Sequence, residues 1–209
     1  MTYDTSVFIN CPFDPAYRPL FEAVVFATFN CGFIPRCTLE VEDSSQVRIE
    51  KIVTLIGQSR LAIHDISRTE LDGTFGLPRF NMPLELGIFL GAKAFGSRTQ
   101  RRKAALVLDV DRYRYQKYIS DLAGQDIRAH AENPETVIHQ VRDFLSAHSP
   151  PGIVLPGGAS LVDRYRTFQE ALEHNRRALR IHAEDLTFRD FLTLTVSWVD
   201  ANPPLASAA

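Results

Sequence analysis

Residues 59–67 read SRLAIHDIS, an apolar run interrupted by one histidine and closed by Asp65. A strand with one wet face alternates apolar and polar residues. An unbroken run of this kind predicts instead a strand covered on both faces, as in a parallel sheet. Residues 104–109, AALVLD, repeat the pattern and also end in an aspartate. Residues 6–10, SVFIN, form a shorter run stopped by Cys11-Pro12-Phe13-Asp14-Pro15, whose two prolines cannot continue a ladder. A further strand around 33–38 carries Pro35 and is expected at an edge.

Helical spacing fills the intervals. It predicts helices over 17–30, with Gly32 as the C′ glycine, over about 46–57, with Asp43, Ser44 and Ser45 as caps, over about 82–95, and over 134–147 behind Pro134. Strands alternating with helices give a three-layer α/β fold on a mainly parallel sheet of about five strands. Residues 1–148 form this α/β domain, residues 149–159 (SPPGIVLPGGA) read as a Pro/Gly linker, and residues 160–202 as a helical C-terminal extension. The apolar faces of the extension would either cap the sheet domain or form a subunit interface, so a homo-oligomer through these helices is one expected partner.

The chain has 209 residues, 45% of them hydrophobic, enough for a core without metal or disulfide support. A formal net charge of −2 excludes bulk electrostatic attraction to nucleic acid or to an anionic membrane. The opening residues show no signal segment, no run approaches a membrane span, and three cysteines without a CxxC pair suit a reducing cytoplasm. GxGxxG, GxxxxGK[ST], GxSxG and HExxH motifs are all missing, which removes the common dinucleotide, NTPase, serine-hydrolase and zinc-protease readings. No metal site is expected: Asp109-x-Asp111 brings two acids and no further ligand set.

Open parallel sheets bind ligands beyond the carboxyl ends of their strands. The residues expected there are Asn10, Cys11, Phe13 and Asp14, then Glu40, Glu42, Asp43 and Ser44, then His64, Asp65, Ser67 and Arg68, then Asp109 and Asp111, with Asn81, Met82 and Glu85 on the helix after the third strand. Glu85 is the most informative. It is placed in the first turn of a helix that is apolar all round and expected to be buried, where the helix dipole would keep the carboxylate ionised. An ionised acid in such a place suits a nucleophile or a stabiliser of positive charge, although acids also favour first turns for the dipole alone. Asp43, Ser44 and Arg48 suit either an anion-binding helix start or an ordinary cap.

In order and spacing, SVFINCPFD, SRLAIHDIS and NMPLELGIFLGAKAFG resemble the nucleoside 2-deoxyribosyltransferase-like group, which shares a flavodoxin-like architecture with Toll/interleukin-1 receptor (TIR) domains. The resemblance covers residues 6–145 and falls on Pro12-Phe13, on Asp65, and on Glu85 with Gly87 and Gly91. It implies cleavage of an N-glycosidic bond in a nucleotide, nucleoside or NAD, by hydrolysis or base exchange, with no separate cofactor. Under it, Glu85 attacks or stabilises C1′ and Asp65 orients a sugar hydroxyl or helps protonate the leaving base. Phe13 stacks on the base, Ser44 and Arg48 hold a phosphate, and Asn10, Asp43, Ser67, Asn81 and Met82 complete the binding set. Relatives in both branches often act in bacterial defence against phage. Departures are Asn10-Cys11, where the transferases typically have Gly or Ala before Pro-Phe, and the 66–80 loop and C-terminal helices, which have no counterpart. Two other readings are a non-catalytic TIR-like module that binds a nucleotide-derived signal or assembles with itself, and a phosphoacceptor using Asp14, Asp65 and Asp109. The phosphoacceptor would need a lysine after its last strand, and none stands clearly in place.

Overall fold

The computed structural model describes residues 2–40, 43, 45–69, 71, 73, 76–78 and 80–203. Five strands, β1 (Ser6–Asn10), β2 (Ile34–Arg36), β3 (Leu61–Asp65), β4 (Ala104–Asp109) and β5 (Arg128–Ala129), form one all-parallel sheet in the order β2-β1-β3-β4-β5. This is the flavodoxin-like order, in which the chain reverses its direction of travel between β1 and β3. The registers Asn10↔His64 and Asp65↔Leu108 bring the carboxyl ends of the three central strands level.

Alternation along the strands assigns the two faces. Val7, Ile9, Leu61, Ile63, Leu106 and Leu108 join the core with α1 (Arg18–Asn30) and α4 (Pro134–Ala147). Phe8 and Ala62 face α2 (Arg48–Gln58) and α3 (Asn81–Phe95). α1 ends as its sequence requires: Gly32 has φ 78°, and the N–H groups of Gly32 and Phe33 donate to the carbonyls of Phe29 and Thr28. α4 starts on Asn133, whose side chain accepts from the N–H groups of Glu135 and Thr136. Pro35 lies in edge strand β2, where its missing N–H costs no central ladder bond.

The C-terminal helices α5 (Gly158–Ala178) and α6 (Phe188–Ala201) pack on α1. Phe26 of α1 stacks on Phe168 at 5.0 Å between ring centroids and lies 5.8 Å from Trp198. Leu161, Tyr165, Phe168, Leu172, Phe188 and Phe191 belong to the same core as the inner strands. The Pro/Gly stretch separates the extension along the chain but not in space.

Three expectations require correction. The helix after β2 begins at Arg48 with Val47 as its cap, and no side chain caps it. The Asp43 carboxylate is used locally by the N–H and hydroxyl of Ser45, so Asp43 and Ser45 do not cap α2. β5 is only two residues long, too short to show periodicity, and the sequence reading did not locate it. Finally, α3 is not buried all round: Leu84 is 57% exposed and Phe95 is 89% exposed, while Met82, Glu85, Leu86 and Phe89 face inward.

Candidate functional site

Asn10, at the carboxyl end of β1, sets the position of α3. Its Nδ2 donates to the Met82 carbonyl at 3.0 Å and lies 2.9 Å from His64 Nδ1. A carbonyl can only accept, so this nitrogen is the donor to both, and the His64 ring proton is on Nε2. Burial pushes the His64 pKa down to about 3, with Lys103 adding to the effect, so His64 is a neutral packing residue between Phe8 and Phe89. Asn10 therefore spans the β1/β3 junction and fixes the first turn of α3, which also contains Met82. Met82 itself is buried, and Asn81 is exposed at the helix start.

Glu85 is one turn further along. Pro83 has no N–H and is tolerated only in the first turn, so the helix starts at Asn81 and Glu85 falls in the second turn, beyond the strongest part of the dipole. It occupies the inward stripe formed by Met82, Leu86 and Phe89 and is itself 4% exposed. Among the described residues its carboxylate accepts no hydrogen bond. Burial pushes its pKa up to about 7, against the opposing charge of Arg48. The carboxylate is thus half-protonated near neutrality, whereas the dipole argument expected it to be held ionised.

Cys11 follows Asn10 and is buried. Its thiol pKa is raised well above the ordinary value, first by burial and then by the neighbouring acids, Asp65 foremost, with Glu85 and Asp14. Cys11 is therefore no thiolate nucleophile.

Asp65 is fully buried on the opposite face of β3 from His64; two donors hydrogen-bond to it and a third group lies close by. Oδ1 accepts from the Ser67 N–H at 2.8 Å, Oδ2 accepts from the Tyr17 hydroxyl at 2.6 Å, and His130 Nε2 lies 3.0 Å from Oδ2, out of line for a hydrogen bond. Asp14 accepts from both Nη2 and Nε of Arg68, at 2.9 and 3.2 Å, and from the Tyr17 N–H. Its slight burial works to raise its pKa, but the Arg68 and backbone hydrogen bonds outweigh this and lower it. Asp109 accepts from Arg114, the N–H of Val110 and the Tyr118 hydroxyl, and Arg114 also reaches Thr69 and the Ser67 carbonyl.

The remaining expected residues separate. Phe13 packs edge-on against Phe21 at 5.3 Å, and Phe21 against Phe188. Its ring lines a cavity of about 490 Å³ between α1 and the segment leading into α6, together with Leu39, Leu186 and Phe191. Asp43 is exposed in its own turn, and Ser44 lies outside the described residues. Arg48 opens α2 on the surface, with its charge acting on Glu85. Tyr17, His130 and Arg114 were missed by the sequence reading: Tyr17 was read as a helix start, and His130 directly follows the two-residue strand that no pattern announces. Among the described residues there is no cluster of three or more metal-ligating side chains, and no helix is long and apolar enough to cross a membrane. Compared with protein-family models, curated proteins and solved structures, the chain gives no match.

Proposed function

We propose that this protein is an N-glycosidase, or base-exchange enzyme, acting on NAD or a related nucleotide, with Glu85 as the carboxylate that meets the sugar. One observation carries the reading: an unpaired carboxylate on the inward stripe of α3, next to the β1/β3 crossover where sheets of this order bind nucleotides. Burying an acid without a partner is unfavourable, and such groups concentrate at functional sites.

The chemistry suits the electrostatics. As the C1′–N bond breaks, its electron pair leaves with the base and positive charge develops on the sugar. Ionised Glu85 stabilises that charge. A Glu85 oxygen then bonds to C1′ until water or an incoming base displaces it, or water adds to C1′ directly; on either hydrolytic route one proton of that water passes to solvent. Asp14 and Asp65 are both engaged by hydrogen bonds and are not free to protonate a leaving base. A pyridinium leaving group needs no proton, because it departs as a neutral base, and this favours NAD among the candidates.

The test is chromatography of the free base released from NAD, NADP and a panel of nucleosides and nucleotides, by wild type and by Glu85→Gln. Release by wild type that the variant abolishes supports the reading. Release unchanged in the variant removes Glu85 from the chemistry. Saturable nucleotide binding by folded protein that releases no base would favour the non-catalytic module.

A further inference from the structure

Asp65 and four hydrogen-bonded or adjacent groups form a closed ring. Tyr17 donates its hydroxyl to Asp65 and its N–H to Asp14, Asp14 pairs with Arg68, and Ser67, the neighbour of Arg68 in the chain, returns its N–H to Asp65. The ring joins the β1 loop, the start of α1 and the β3 loop, while Asn10, just before that loop, ties β1 to α3 through the Met82 carbonyl. Arg114 reaches it through the Ser67 carbonyl, and His130, just after β5 and 99% buried, approaches Asp65 itself.

His130 is held unusually firmly. It opens a tight turn closed by the Asn133 N–H donating to the His130 carbonyl. Both central residues, Ala131 (φ 48°) and Glu132 (φ 55°), are left-handed and neither is glycine. That conformation is disfavoured for side chains with a Cβ and is retained where the surroundings demand it. It presents the Glu132 N–H to His130 Nδ1 at 3.0 Å. Nδ1 therefore accepts, the neutral ring carries its proton on Nε2, and Nε2 lies 3.0 Å from Asp65 Oδ2 with no hydrogen-bond partner among the described residues.

We infer that His130 is a positioning residue for the reaction: its Nε2–H steadies Asp65, and through Asp65 and Tyr17 it holds the β1 loop in register with Glu85. The inference rests on the glycosidase reading and extends it to a residue across three strands from Glu85. Asp65 is accordingly assigned to the scaffold of the site and not to contact with the sugar.

Two substitutions separate the ring nitrogens. In His130→Asn, the side-chain oxygen can still accept the Glu132 N–H, preserving the turn, while Nε2 is deleted. In His130→Gln, an amide N–H is returned near Asp65. The expected result is a kcat for base release lowered about 10- to 100-fold in His130→Asn with KM little changed, and partial recovery in His130→Gln. Wild-type kcat in His130→Asn, or a loss that tracks falling melting temperature equally in both variants, overturns the inference. An activity-independent measurement accompanies it: ¹⁵N NMR of the His130 ring should show Nε2 protonated, with a resonance that shifts in Asp65→Asn and not in Glu85→Gln. A ring protonated on Nδ1 refutes the inference whether or not the protein releases base. Silence of wild type toward every substrate, with the NMR result as expected, refutes the glycosidase reading and retains the His130–Asp65 contact.

Discussion

At the residue scale, Glu85 links stability to pH. In the unfolded chain it ionises at its ordinary pKa of 4.5; in the folded protein only near 7. Between these values the native state holds a proton that the unfolded state has lost, so rising pH removes stability, and above about pH 7 the whole cost is present. The difference corresponds to about 3 kcal/mol at most. Glu85→Gln should therefore melt several degrees higher than wild type at pH 8 and nearly level with it at pH 4, while losing base release. Scanning calorimetry at the two pH values checks this, and an equal shift at both would show that burial of the charge is not the cause. Arg48 opposes the rise in the Glu85 pKa. Arg48→Met should move the acid limb of the rate profile, which reports ionised Glu85, to higher pH. Activity would fall several-fold below pH 7 and little at pH 8.5.

At the element scale, the turn after β5 carries a measurable cost. Two successive left-handed residues with side chains cost on the order of 1 kcal/mol each, whereas Asn and Gly suit the two positions of a type I′ turn. The double substitution Ala131→Asn with Glu132→Gly should stabilise the fold by about 1–2 kcal/mol in denaturant titration. It should leave base release intact, because the Glu132 backbone N–H that orients His130 is kept. Destabilisation would show that the Ala131 or Glu132 side chain contributes something the turn geometry does not reveal. Next in the chain, Asn133 satisfies two N–H groups of α4, and Asn133→Ala should cost about 1 kcal/mol.

At the scale of the whole molecule, the C-terminal helices are part of the core. Phe168 is fully buried and meets Phe26, Tyr165, Phe191 and Trp198 in one aromatic cluster. Phe168→Ala should cost about 3–5 kcal/mol and lower the melting temperature by roughly 10 °C. Calorimetry should still show a single transition, because α1 belongs both to the sheet's covering layer and to this cluster. Two resolved transitions would make the extension a separate folding unit.

The architecture was legible because it rests on local patterns. Unbroken apolar runs such as LAIHD and AALVLD survive only where helices cover both faces, and Gly32 and Pro134 mark helix ends by backbone requirements that operate within one turn. Glu85 could be singled out because a charge stands out among apolar neighbours, but its environment could not be read that way. The position of Pro83 moved it into the second turn, and the exposure of Leu84 and Phe95 showed that α3 has an outward face. Tyr17, His130 and Arg114 carried no local signal at all: each matters through a partner 45 or more residues away or through a strand of two residues. Periodicity and turn chemistry, which act over a few residues, determined the longer elements and the parallel character of the sheet. Only the tertiary structure decided which buried acid stands alone and which are engaged, because hydrogen bonds between strand ends depend on distances that no short stretch of sequence contains.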